Sequence, residues 1–115
     1  LEDYWAPRFA SGAIQQLANV SQTSVCLCHN PDVCDIGQWG LFQGIILSGH
    51  THGGQCKPPF LPPPLLPVRN RRYTAGFFDL GPGRRLFITR GIGHTLRARF
   101  NCRPEITVFR LLRSG

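Results

Sequence analysis

Three histidines sit where a site could be assembled. His29 closes the apolar run Thr23-Ser24-Val25-Cys26-Leu27-Cys28, and His50 and His52 follow a second run, Gly44-Ile45-Ile46-Leu47-Ser48. Neutral imidazole is a good ligand for zinc, iron, manganese and similar ions. It can also carry a proton near neutral pH. A single His-x-His is a weak signal, but three histidines at the ends of two apolar runs form a stronger one. Gly49, Gly53 and Gly54 flank the pair, permitting tight turns and removing bulk beside it. The fourth histidine, His94, lies in Gly91-Ile92-Gly93-His94-Thr95 and reads as a loop residue. The five cysteines are an odd number, which excludes a fully paired disulfide framework. A zinc site drawn from Cys28, His29, Cys34, His52 and Cys56 has no Cys-x-x-Cys pair behind it. Reduced, buried thiols in a reducing compartment fit better.

The elements that must hold these histidines follow from pattern. Both apolar runs read as buried strands. Between them, Asn30-Pro31 is a helix-start signal, with Asn as cap and Pro at the first helical position, for a helix reaching about Trp39 and ending at Gly40. Strand, helix, strand in so short a stretch is a βαβ unit with parallel strands. In open α/β sheets, ligands bind beyond the carboxyl ends of such strands, where the histidines fall. Upstream, Ser11 caps a short helix whose apolar stripe is Ile14, Leu17 and Ala18. Downstream, residues 58–67 hold six of the ten prolines and can be neither helix nor inner strand. They read as a stiff, extended connection, or else as an SH3-type ligand or an apolar lip near a substrate site. Three β-patterned runs follow, at Arg72–Phe78, Arg85–Arg90 and Glu105–Leu112, with Gly81-Pro82-Gly83 turning the first two into an antiparallel hairpin. The fold class is α/β. The chain divides into residues 1–56 (βαβ with histidine loops), 57–71 (Pro-rich connection) and 72–115 (antiparallel strands).

Length and composition bound what this unit can do. With 115 residues there is room for one small core. An apolar content of 42% excludes a disordered tail, and no apolar run approaches the ~18 residues of a membrane-spanning helix. The first residues lack a signal-peptide layout; the reduced thiols make a cytoplasmic or membrane-associated location the expectation. A start at Leu1 points to a piece of a longer chain. Charge is strongly divided. Up to Cys56 there is one base, Arg8, against four carboxylates, whereas from Lys57 onward twelve bases face Asp79 and Glu105. Twelve of the 13 bases are Arg, whose planar fork suits phosphate oxygens. The basic half is a solvated surface or faces an anionic substrate, a lipid or a nucleic acid. A non-catalytic module holding nucleic acid needs aromatic stacking. Phe77, Phe78, Phe87, Phe100 and Phe109 read as strand core instead, so nucleic acid is the disfavoured alternative.

The pattern His29-Asn30-Pro31-Asp32, a spacer, then Leu47-Ser48-Gly49-His50-Thr51-His52-Gly53-Gly54-Gln55 resembles the second half of a calcineurin-like metallophosphoesterase. Tyr73-Thr74-Ala75-Gly76, Thr89-Arg90-Gly91-Ile92-Gly93 and the run from Arg99 to Thr107 resemble the tail of its YkuE-like branch. That branch includes enzymes cleaving the pyrophosphate of UDP-diacylglucosamine. Asp3-Tyr4-Trp5 with Arg8-Phe9 resembles the link preceding this half. The resemblance implies the C-terminal half of a four-layer αββα fold, with mixed β-sheets flanked by helices. It implies a phosphoester hydrolase using two divalent ions of the Mn, Zn, Fe or Mg class, with His29 and His50 on one ion and His52 on the other. The family's Asp-x-His, Gly-Asp and Gly-Asn-His motifs are absent from this sequence. The chain alone is therefore expected to be inactive and to need the missing N-terminal half as its partner. Arg90 and Arg99, from a set that includes Arg97 and Arg103, are the candidates for substrate phosphate. The branch points to a lipid-linked or nucleotide-linked phosphoester, with membrane-surface contact through residues 58–67.

Overall fold

The computed structural model describes residues 16, 19, 23–36 and 39–113. The helix expected after Ser11 and the opening Asp3-Tyr4-Trp5 lie outside the described residues. Four strands form one mixed sheet: β1 (Thr23–Leu27), β2 (Gln43–Ser48), β3 (Gly76–Asp79) and β4 (Arg84–Ile88), in the spatial order β1-β2-β4-β3. β1, β2 and β4 run parallel, and β3 is antiparallel to β4. The βαβ unit and the hairpin are both present. The intervening helix is shorter than expected: α1 covers only Val33–Ile36.

Alternation on the strands sets the two faces of the sheet. Ile46, Leu86 and Ile88 are completely buried on one face. Val33, Trp39 and Phe42, from the β1–β2 connection, cover that face together with Leu66, Val68 and Tyr73, from the connection to β3. Each fully buried aliphatic side chain contributes roughly 1.5–3 kcal/mol. The segment after the histidine loop is therefore part of the core as well as a connection. Its exit is held by two carboxylates. Asp32 accepts the main-chain N–H groups of Arg69 and Asn70 at 2.7 and 3.0 Å. Asp35 accepts from Asn70 Nδ2 at 2.7 Å and from the Tyr73 hydroxyl at 2.5 Å. Burial, then the Asp35 carboxylate, hold the Tyr73 phenol well above its ordinary range.

Two expectations are corrected here. Glu105–Leu112 forms no strand, so of the three expected runs after residue 72 only two pair, as the antiparallel β3 and β4, with β3 starting at Gly76. Its β pattern needs a strand edge to pair with, and no ladder pairs it with an edge of the described sheet. It lays Phe109 against Phe87 and Phe77 instead, at ring-centroid distances of 5.0 and 6.5 Å. Nor are all the phenylalanines core: Phe78 packs on Tyr73, but Phe77 and Phe100 are exposed.

Candidate metal centre

The ends of β1 and β2 are fixed in register one residue at a time. Cys28 N–H donates to the Leu47 carbonyl at 2.9 Å, and Gly49 N–H donates to the His29 carbonyl at 3.1 Å. This main-chain bond between His29 and the residue before His50 brings the two histidines to neighbouring positions. His50 has φ 65°, a left-handed conformation rare for a residue with a Cβ, and this turns its ring toward His29. His29 Nε2 and His50 Nδ1 lie 3.0 Å apart, with ring planes at 65°. Burial, and then the neighbouring His29, lower the His50 pKa from its ordinary value. The neutral form, which is the one that ligates, is thereby favoured.

His52 is turned elsewhere. It also has a left-handed backbone (φ 49°), and its Nδ1 lies 3.2 Å from Gln55 Oε1. The loop carrying it is clamped from both sides. Thr51, 1% exposed, donates through Oγ1 to the Thr74 carbonyl at 2.6 Å and accepts from Gly53 N–H. Lys57 N–H donates to the Phe100 carbonyl, and Phe100 N–H to the Gln55 carbonyl. Gly53 and Gly54 have no room for a side chain. A Cβ at Gly53 would meet Cys102 Sγ at 2.5 Å, and one at Gly54 would meet Pro63 at 2.3 Å.

Of the residues expected at the site, the structure brings His29 and His50 together and sets His52 apart beside Gln55. His94 is exposed on the later loop. Arg90 donates through Nε to Glu105 at 2.6 Å. Arg99 is engaged with main chain: its terminal nitrogens donate to the carbonyls of Arg90 and Gly93 at 2.9 and 2.6 Å, and to that of Cys102 at 3.2 Å. The expected phosphate contact by Arg99 would require giving up these bonds. Sequence reasoning missed Gln55 and Thr51, whose roles depend on a left-handed loop that residue types alone do not reveal.

The donor set fits one side of a metal centre. In this structure the 3.0 Å His29–His50 separation is that of an N–H···N hydrogen bond between the rings, and it is also close to the spacing of two nitrogens held ~2.1 Å from one ion at a right angle. Among the described residues, however, no group of three or more His, Cys, Asp or Glu side chains could hold an ion. Further ligands, carboxylates above all, would have to come from outside this set. Beside the histidines opens a largely apolar cleft of about 360 Å³, lined by His50, His52, Leu65, Leu66, Arg71 and Leu96 among others.

Comparisons with known proteins point the same way. The chain is 42% identical over 89 residues to the phosphodiesterase YaeI of Escherichia coli, which covers 75% of this chain and 31% of YaeI. It is 40% identical over 89 residues to the metallophosphoesterase YkuE of Bacillus subtilis, covering 76% of this chain and 30% of YkuE. It is 30% identical over 120 residues to the UDP-2,3-diacylglucosamine pyrophosphatase LpxG of Chlamydia muridarum, covering 97% of this chain and 36% of LpxG. The chain thus spans about a third of the length of the relatives it matches. No family model and no solved structure matches it.

Proposed function

This chain is homologous to metallophosphoesterases over about a third of their length, and from that premise we propose that it supplies the imidazole side of a two-ion phosphoester hydrolase. The observation that carries the reading is the 3.0 Å approach of His29 Nε2 to His50 Nδ1 at the ends of adjacent parallel strands. His29 and His50 hold one ion and His52 the other. When bound, such ions supply Lewis-acid chemistry at the phosphoryl group. The chain's own part is to fix three imidazole nitrogens, one just after β1 and two on the clamped loop after β2. Carboxylate ligands come from the part of the longer protein that this chain does not span. That part also covers the outer face of the sheet, where Val25, Leu27 and Phe77 are exposed, and completes a four-layer αββα domain.

The substrate is a phosphoester with an apolar portion. The cleft beside His50 and His52 is walled by Leu65 and Leu66, and Phe60, Leu61 and Leu65 stand exposed next to it. Lys57, Arg69, Arg71 and Arg72 flank this lip and suit an anionic membrane surface. Among the described residues no helix is long and apolar enough to cross a membrane. The test is phosphodiester turnover by the complete protein with His29→Ala or His50→Ala. Turnover should be lost in both variants, and normal turnover in either would remove the proposal.

A further inference from the structure

Gln55 is 7% exposed, follows the histidine loop, and has a left-handed backbone with φ 52°. Its side-chain amide uses every hydrogen-bonding position it has. Nε2 donates to the carbonyls of Leu96 and Ala98 at 2.9 and 3.0 Å. Oε1 accepts from Thr95 N–H at 2.7 Å and faces His52 Nδ1 at 3.2 Å. The orientation of the amide is therefore settled by its neighbours. Rotating it by 180° would set the NH2 group against a main-chain N–H and the oxygen against two carbonyls.

An amide oxygen only accepts, so the His52 nitrogen facing it must carry the proton. We propose that Gln55 is a positioning residue that holds neutral His52 as its Nδ1–H tautomer, leaving the Nε2 lone pair open to ligate. The same amide ties the tautomer to the fold. Leu96, Ala98 and Thr95 belong to the loop between β4 and the C-terminal tail, so that loop dictates which nitrogen of His52 is available. Outer partners of this kind fix ring orientation in metal sites. The tautomer follows from the hydrogen bonds alone, whereas its use in ligation rests on the function proposed above.

The experiment is long-range 1H–15N NMR of the histidine rings in the metal-free 115-residue chain, followed by addition of Zn²⁺ alone to the same chain joined to the part its relatives possess and it does not span. In the unaltered chain, His52 should show a protonated Nδ1 and an unprotonated Nε2. Gln55→Glu keeps the oxygen acceptor facing His52 but sets its second oxygen against the Leu96 and Ala98 carbonyls, so it should loosen that loop while keeping the Nδ1–H pattern wherever the His52 contact survives. Gln55→Met removes it and should shift His52 toward the Nε2–H form, with Zn²⁺ affinity falling about 10–100-fold. An Nε2–H form of His52 in the unaltered chain would overturn the proposal. So would an unchanged pattern in Gln55→Met. Failure of Zn²⁺ to move the His52 Nε2 signal, with the tautomer as stated, would overturn ligation by His52 and leave the positioning role of Gln55 supported.

Discussion

His50 and His52 occupy backbone conformations that cost roughly 1–3 kcal/mol each in a residue with a Cβ, and the surrounding bonds must hold them there. Thr51 sits between them, with its hydroxyl bonded to the Thr74 carbonyl and to Gly53 N–H. Thr51→Val preserves shape but orphans a carbonyl and an N–H. It should cost about 1–3 kcal/mol, measured as a lower urea midpoint. In the complete protein, His50→Ala and His52→Ala should each lower phosphodiester turnover by more than the 10–100-fold typical of an outer partner, while His94→Ala keeps most of it. Equal loss at all three positions would refute the assignment. The histidines were legible in the sequence because spacing and strand ends advertise them. The place of Gln55 was not, nor was the main-chain role of Arg99, which the sequence suggested only as a phosphate contact. Their partners are main-chain carbonyls supplied by loops more than 40 residues distant, as for Gln55 with Ala98, or by turns whose shape no pattern encodes.

At the scale of elements, the β1–β2 pair depends on Gly44. Its φ is 142°, and a Cβ there would sit 1.9 Å from the Ser24 carbonyl oxygen. Gly44→Ala should therefore break the register that brings His29 to His50. It should show both a large loss of thermal stability and loss of His29–His50 cross-peaks. Beneath β1 and α1, burial raises the Cys28 thiol to about 11 and, with Cys28 and Asp35 nearby, the Cys34 thiol to about 12. In the unfolded chain a thiol titrates near ~8.5. Above pH ~9 the unfolded state binds fewer protons than the native one, so stability falls as pH rises. The urea midpoint should be lower at pH 10 than at pH 7.5, and Cys34→Ala should flatten the difference; a midpoint that rises with pH would contradict it. The Pro-rich segment was legible as non-helical and surface-lying, although Leu66 is buried and anchors it. Replacing Phe60, Leu61 and Leu65 together with Ser should reduce binding to anionic vesicles and hydrolysis of a lipid-linked phosphodiester. Hydrolysis of a water-soluble one should change little, since exposed positions carry little stability. The parallel unit and hairpin were readable from local pattern. Glu105–Leu112 was misread because alternation records a strand's wish for a partner, and a sequence segment cannot show whether one is present.

Across the whole molecule, division is the common theme. Nearly all the base lies after Lys57, while the three imidazoles lie before it. One face of the sheet is covered, and the other exposes Val25, Leu27 and Phe77. The two ions proposed for the complete site would carry four positive charges, which three neutral imidazoles in a chain of net charge +7 would do nothing to offset. Oxygen donors from carboxylates both balance that charge and suit the ions that act on phosphates. The central claim is that this chain holds one side of a metal centre and that the rest of the protein holds the other. The most direct measurement is the stoichiometry and affinity of divalent metal in the purified 115-residue chain, compared with the same chain joined to the part of the protein its relatives possess and it does not span. At most one weakly held ion is expected in the chain alone, and two tightly held ions in the joined protein. Two tightly held ions in the chain alone would contradict the central claim.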